Sequence, residues 1–348
     1  MVMESLDERS KQILYAVVQS YINKPEPVGS RFVTKKYSFG FSPATVRNIM
    51  ADLDDLGFLS QPHTSAGRVP TDKGYRFYVD SLPAINVIRE DNELMGKFIC
   101  QLTKNLENIR SDINNIFWEI TNSLSMMSNY IGVATLPKPE KTTFNRIDFI
   151  RYKKDKVVAI LLTEEGVIKN KILSVDLSFT QEDLNRITEY LNSECLGYTI
   201  EEIKNMLIKK AHGEKAVFDE LIARAIKIYE QVISFSENDV YVSGLYEMMN
   251  LPDFSEISRI REISRAIKDK HIILKLLEEL SDLEGVQVFI GNENPVEELK
   301  NLSVVASTYK EKDRPIGVIA LIGPTRMDYS KAIYMVDTIA KCISRVFD

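Results

Sequence analysis

The stretch SPATVRNIMADLDDLGFLSQPHTSAGRVPT, from Ser42 to Thr71, limits the choices of this chain more than any other. Ser42 suits a helix N-cap, and Pro43 suits the first helical position, where its missing N–H is not needed. Val46, Ile49, Met50, Leu53 and Leu56 then recur on one face, the spacing of an amphipathic helix. Gly57 stands where a helix ends in a left-handed residue. No linker follows. FLSQ reads as a short strand, PHTSAG as a turn with Gly67 at its tip, and RVPT as a return strand. A helix that runs straight into a proline-stiffened hairpin can pack in few ways.

The residues upstream narrow these further. SLDERSKQILYAVVQSYI predicts a helix, with Ser5 and Glu8 as a capping box and Ile13, Leu14, Val17, Val18 and Tyr21 on one face. NKPEPVG stops it, because each proline biases its predecessor away from helix. SRFVTKKY predicts a short helix that buries Phe32 and Val33. Helix, helix, helix, hairpin is the order of a winged helix.

On the third helix Ala44, Arg47, Asn48 and Ala51 fall opposite the apolar stripe, with Thr45 at its edge. Small residues and a helix N-terminus allow close approach to phosphate. Arg47 can pair with guanine and Asn48 with adenine through two parallel hydrogen bonds. A surface helix with a mixed polar face has the same pattern, and the hairpin tips the reading toward DNA. Its His63, Thr64, Ser65, Arg68 and Gly67 amide are groups that hold phosphate without reading sequence. Ser42 and the basic residues Lys35 and Lys36 extend the same candidate surface.

Charge first argues the other way. The chain of 348 residues carries 44 Lys and Arg against 50 Asp and Glu, a net charge of −6. Distribution outweighs the sum. From Pro27 to Met50 stand Arg31, Lys35, Lys36 and Arg47 with no acid, and Asp52, Asp54 and Asp55 follow at the far end of the helix. Those aspartates must face away from a duplex.

FSPATVRNIMADLDDLGFLSQPHTSAGRVPTDKGYRFYVD resembles the N-terminal signature of the heat-inducible transcription repressor family HrcA. IGNENPVEELKNLSVVASTY and GVIALIGPTRMDYSKAIYMV resemble that family's C-terminal blocks, in the same order and spacing. The resemblance implies a multidomain α+β protein. Its parts are an N-terminal winged helix-turn-helix (1–88), a GAF-like α/β domain with a leading linker helix (89–140 and 239–348), and an inserted dimerising domain of antiparallel sheet plus helices (141–238). It also implies a homodimer on double-stranded DNA, at an inverted-repeat operator of the CIRCE type upstream of chaperone operons. A GroE-type chaperonin would keep the repressor competent.

The residues between the two ends fit that outline. EDNELMGKFICQLTKNLENIRSDINNIFWEITNSLSMMSNY predicts one or two amphipathic helices, and YIGVATLP a strand. FNRIDFIRYKKDKVVAILLTEEGVIKNKILSV predicts three antiparallel strands, followed by helices over QEDLNRITEYLN, TIEEIKNMLIKK and FDELIARAIKIYEQVI. VYVSGL is a strand, and the segment from Asp253 is helical with an Asp253/Glu256 cap pair. Three more strands lead to a final helix starting at Thr325.

Catalytic chemistry finds no foothold. No phosphate-binding glycine loop, zinc-protease motif or nucleophile elbow is present. Cys100, Cys195 and Cys342 are scattered and stand apart from His63, His212 and His271, so neither a disulfide framework nor a metal site is expected. No cofactor is implied. The longest apolar runs are strand-sized and the start is acidic, which leads to an expectation of a cytoplasmic protein without membrane contact. Asn292, Glu293 and Asn294 on one polar loop, and Arg326, Asp328 and Tyr329 on another, are candidates for a ligand or subunit contact. Those loops leave a second reading open: a winged-helix regulator that senses a small molecule in its GAF-like domain. The bland alternative is that these residues only hold the fold together.

Overall fold

The computed structural model describes residues 6–63, 66–82, 113–137, 141–174, 180–211, 240–280, 284–312 and 314–347. Three helices open the chain: α1 (Glu8–Asn23), α2 (Ser30–Lys36) and α3 (Pro43–Asp55). A hairpin of β1 (Leu59–Ser60) and β2 (Val69–Pro70) follows, then α4 (Asp72–Asp80). Val17, Val18, Val33, Val46, Met50 and Leu53 are buried together between the helices. The cap of α1 differs from expectation. Asp7 accepts from the Ser10 amide at 2.8 Å, and Ser5 lies outside the described residues. A carboxylate at this position gains from the helix dipole as well as from the hydrogen bond.

α3 begins and ends as its sequence dictates. Ser42 Oγ accepts from the Thr45 amide at 3.1 Å. At the other end Gly57 takes φ +76°. Its amide donates to the Asp54 carbonyl at 2.8 Å, and the Phe58 amide to the Leu53 carbonyl at 2.9 Å. This double closure satisfies carbonyls the helix would leave open and needs a left-handed residue. Two stripe assignments fail. Leu56 is 40% exposed on the last turn, and Phe32 is 51% exposed, with the Lys36 ammonium 5.6 Å from its ring centre.

The hairpin is held at its base. Val28 and Arg68 exchange both backbone hydrogen bonds at 2.9 Å. Gly67 therefore lies not at the tip but against Val28, where an added Cβ would run into the Val28 carbonyl. The described turn closes through the Ala66 amide on the His63 carbonyl at 2.8 Å. Thr71 fastens the other side: its hydroxyl donates to the Gly57 carbonyl at 2.7 Å and accepts from the Gly74 amide at 3.2 Å.

The C-terminal half is built on a five-stranded antiparallel sheet. It contains β3 (Ile131–Thr135), β7 (Val240–Ser243), β8 (Val286–Ile290), β9 (Leu302–Glu311) and β10 (Arg314–Pro324), in the order β7-β3-β10-β9-β8. Strands β9 and β10 are buried along nearly their whole length. Alternation decides which side each residue faces. Ile319 and Leu321 join a cluster with α5 (Ile113–Ser128) and α11 (Tyr329–Phe347), while Val318, Ala320 and Ile322 join one with α8 (Leu245–Met249), α9 (Ile257–Lys268) and α10 (Lys270–Leu280). Helices on both faces explain why an antiparallel strand reads IGVIALIG rather than alternating.

Asp269 divides the helical segment that sequence treats as one piece, and its side chain accepts from the His271 amide at 3.0 Å. The expected Asp253/Glu256 cap is absent: Glu256 makes no side-chain cap, and Asp253 bonds to Arg326. The last helix starts at Tyr329 rather than Thr325, with Asp328 accepting from the Lys331 amide at 3.1 Å.

Between β3 and β7 the chain leaves the sheet and returns. Those two strands are hydrogen-bonded neighbours, with Thr135 opposite Val240. The intervening described residues form a separate antiparallel sheet, β4 (Phe144–Lys153), β5 (Lys156–Thr163) and β6 (Ile168–Ser174), with α6 (Gln181–Glu194) and α7 (Ile200–Ala211). Its core is its own: Ile147, Phe149, Val157, Leu161 and Leu173 pack with Leu184, Ile187 and Leu191. The helix expected over FDELIARAIKIYEQVI, the first half of the helix before β3, and Cys100 lie outside the described residues. No described helix is long and apolar enough to cross a membrane.

Gly67→Ala tests the hairpin's attachment. The added methyl must push the Val28 backbone aside, at a cost of roughly 1–3 kcal/mol, and a lower denaturant midpoint for the full chain is the expected result.

Candidate nucleic-acid interface

α3 presents a free face. Ala44, Arg47 and Asn48 are exposed, Thr45 is half-buried beside the cap, and Val46, Met50 and Leu53 point inward. Ser42 Oγ also lies 2.9 Å from Thr45 Oγ1, so the first turn is rigid without using the side chains beyond it. Among the described residues Arg47 and Asn48 have no ion-pair or hydrogen-bond partner for their side chains. On α2, which packs against α3, Arg31, Lys35 and Lys36 are exposed. Lys36 stacks over Phe32 and Tyr37, its nitrogen 5.2 Å from the Tyr37 ring centre. Stacking orders the lysine stem without neutralising its charge.

The hairpin contributes differently from expectation. His63 is exposed, as its assignment requires. Thr64 and Ser65 lie outside the described residues. Arg68 does not project. Its Nε sits 3.0 Å from Asp54 Oδ2, and its side chain is only 18% exposed. The Nε–H is not aligned for a hydrogen bond, so the contact is an ion pair by distance. It ties the hairpin to the last turn of α3. One of the three helix-end aspartates thus has an internal partner, which a charge count cannot reveal.

The two polar loops of the sheet half meet the N-terminal helices. Glu293 takes a two-pronged contact from the Arg76 guanidinium, through Nε at 2.9 Å and through Nη2. Arg76 also donates to the Val288 carbonyl. Asp72 Oδ2 accepts from the Asn292 amide at 3.2 Å and from its side chain at 3.0 Å. Gly291 is required there, since a Cβ would strike the Asp72 carboxylate. Asn294 is buried, its side-chain amide donating to the carbonyls of Gly291, Leu299 and Leu302.

On the second loop Arg326 donates to Asp253 Oδ1 at 2.7 Å and to the Ile22 carbonyl at 3.0 Å. The Asp328 amide donates to the Tyr130 hydroxyl at 2.8 Å. Tyr329 is fully buried, its hydroxyl 2.8 Å from Ser303 Oγ and its ring 6.0 Å from that of Tyr75. Burial raises the Tyr329 phenol far above the ordinary tyrosine range, and the Ser303 hydrogen bond only partly offsets this. These six residues do not pair with one another. They join the sheet to α4 and α1 or brace their own loops.

Sequence reasoning missed the partners Asp72, Arg76, Tyr130 and Asp253. Asp72 and Arg76 stand more than two hundred residues from their mates, and no spacing rule links positions that far apart. Among the described residues no group of three or more His, Cys, Asp or Glu could hold a metal ion.

In architecture this is an α+β protein on antiparallel sheets, whose N-terminal helices carry on one face cations without an ion-pair partner among the described residues. The family model for the HrcA protein C-terminal domain matches residues 114–333. A heat-inducible transcription repressor HrcA from Thermodesulfovibrio yellowstonii is 50% identical over 340 residues, covering 98% of this chain and 97% of that protein. Its counterpart from Geobacter sulfurreducens is 37% identical, covering 99% of each. A solved structure described as a hypothetical protein matches with a TM-score of 0.63 at 26% identity, over 99% of both chains. The chain belongs to the HrcA family.

The seam is testable as a coupled pair. Arg76→Ala and Glu293→Ala should each lower the melting temperature, and a double-mutant cycle should give a coupling of roughly 1 kcal/mol after solvent screening.

Proposed function

We propose that this protein represses heat-inducible genes by binding an inverted-repeat operator as a homodimer. In this reading residues 1–88 are a winged helix-turn-helix, 89–140 and 239–348 a GAF-like domain with its leading helix, and 141–238 the inserted dimerising domain. The observation that carries it is the pair Arg47 and Asn48, exposed on the first turns of α3 and without a side-chain partner among the described residues. Arg47 stands beside an amide on a helix whose small residues permit contact with base edges. The relatives, heat-inducible transcription repressors, support the repressor part of this reading.

Protein two-fold symmetry would match operator symmetry. A surface for the dimer is available on the small sheet. α6 and α7 cover one face. The other carries Ile150, Tyr152, Ile168 and Ile172, each more than half exposed. Val158 faces the same way, opposite Ile150 on one side and Ile172 on the other. A contiguous apolar sheet face of this kind marks an interaction site. The family resemblance adds a CIRCE-type operator and a GroE-type chaperonin that keeps the repressor active, with the genes released when unfolded clients occupy the chaperonin in heat. The small-molecule reading for the GAF-like loops has less support, because most of their polar side chains are already bonded within the protein.

In a gel-shift titration with chaperone-operon DNA, Arg47→Ala or Asn48→Ala should weaken specific binding by roughly 1–3 kcal/mol and relax base preference. Arg68→Ala should instead show first as lost thermal stability. Unchanged affinity in both α3 variants would remove the assignment of this face. Ile150→Asp with Ile172→Asp should sediment as a monomer while keeping its helix and strand content, and a persistent dimer would move the interface elsewhere.

A further inference from the structure

The open face of the small sheet is not apolar throughout. Register sets its side chains in three rows across the strands. Ile150, Val158 and Ile172 form one row, Asp148, Ile160 and Asn170 the next, and Arg146, Leu162 and Ile168 the third. A polar pair thus spans the middle of an apolar field. Asp148 is held by Arg146 on its own strand, with Nε donating to Oδ2 at 2.8 Å and Nη2 to Oδ1 at 3.1 Å, and both side chains stay open to solvent. Asn170 is exposed, and its side-chain amide has no hydrogen-bond partner among the described residues. Two strand spacings, roughly 10 Å, separate it from Asp148, so one sheet alone cannot bring this donor and acceptor together.

Two copies stacked by this face are related by a two-fold axis that lies in the plane between them. An axis across the strands, over the middle row, sets Asp148 against Asp148 of the second copy. Two like charges then leave water together, which is costly. An axis along β5 sets β4 over β6 of the second copy instead. Asp148 then meets Asn170, a carboxylate opposite an amide that lacks an acceptor. Ile150 meets Ile172, and Arg146 lays its apolar stem over Ile168. Val158, Ile160 and Leu162 meet their own copies. Each row finds its complement. Sliding the copies by one row would press Asp148 on an isoleucine, and it would break the closed symmetry and open the pair into a fibre.

We propose that Asp148 and Asn170 bond reciprocally across the homodimer and so fix its two-fold axis along β5; the inference rests on the dimer surface proposed above. Its consequence reaches the operator. β4 begins at Phe144, shortly after β3 ends at Thr135, so the small sheet joins the large one near the start of β4. Rotation about β5 preserves strand direction, and both copies make that junction at the same end of the interface. Both α3 helices can then meet one duplex. The crossed axis would send the two junctions to opposite ends.

Sedimentation equilibrium of the full chain without DNA reads the Kd of the dimer, and circular dichroism checks that each variant folds. Asn170→Asp brings a second carboxylate to Asp148 of the other copy and should weaken the dimer about tenfold or more. Adding Asp148→Asn to that variant exchanges the two partners and should restore Kd to within about threefold of the starting value. With the crossed axis it could not, because like charges would still meet at position 170. Asn170→Lys should tighten the dimer, an outcome that damage to the fold cannot imitate. The proposal is overturned if Asn170→Asp dimerises as the unaltered chain does, if the exchange fails to restore the dimer, or if Asn170→Lys weakens it. If Ile150→Asp with Ile172→Asp is nonetheless monomeric, only the polar contact falls and the dimer surface stands. A dimer that survives that double variant, or an unaltered chain that is a monomer, removes both.

Discussion

The long hairpin of β9 and β10 is what the rest of the molecule hangs on. It pairs from Leu302 and Pro324 at one end to Glu311 and Arg314 at the other, with a register shift near Pro315. Both faces are covered, so each residue along it is committed to one of two cores. α11 follows directly and folds back over β9 and β10. Its first buried side chain, Tyr329, then reaches Tyr75 of α4. The position of the N-terminal helices is thus referred, through one aromatic contact and the Arg76–Glu293 and Asp72–Asn292 links, to two strands that are buried along nearly their whole length.

Electrostatics explain how an acidic chain can offer a basic face. Arg47 has no carboxylate beside it among the described residues, because the helix keeps its aspartates roughly one and a half to two turns further on, where one of them holds Arg68. Arg31, Lys35 and Lys36 lie on a neighbouring helix whose own sequence holds no acid. The surplus negative charge is distributed over the rest of the chain, where it opposes unspecific contact with phosphate. Local separation of sign therefore decides the partner, and the net value does not.

Much of this was legible in advance, for reasons that can be named. Strong local rules governed α3: the serine cap, the proline after it and the glycine stop all stand where the sequence puts them. The small meander was equally plain, since KKDK and TEEG interrupt strand-length runs rich in apolar residues. What failed depended on distant partners. Arg68 reads as a phosphate ligand until Asp54 is folded beside it. Gly67 reads as a turn residue until Val28 closes on it. Arg326, Asp328 and Glu293 read as contacts for a ligand or a subunit, yet each bonds within the chain to a different partner. Phe32 breaks the rule that aromatics go inside: half of it is exposed, with the Lys36 ammonium near its ring.

The departure of the chain between β3 and β7 has a consequence in time. β3 has two neighbours in the sheet, β7 and β10, and both are encoded after the separate small sheet. At ribosomal rates of roughly 5–20 residues per second, more than a hundred residues must emerge before β7 arrives, an interval on the order of 5–20 seconds. Throughout it Ile131 and Val133, which end fully buried, have no strand on either side. The small sheet can fold during that wait on its own core. The larger one cannot, and a newly made chain passes through synthesis with an apolar strand exposed at both edges. A protein whose activity is proposed to depend on a folding machine carries, in the order of its strands, a physical reason for that dependence.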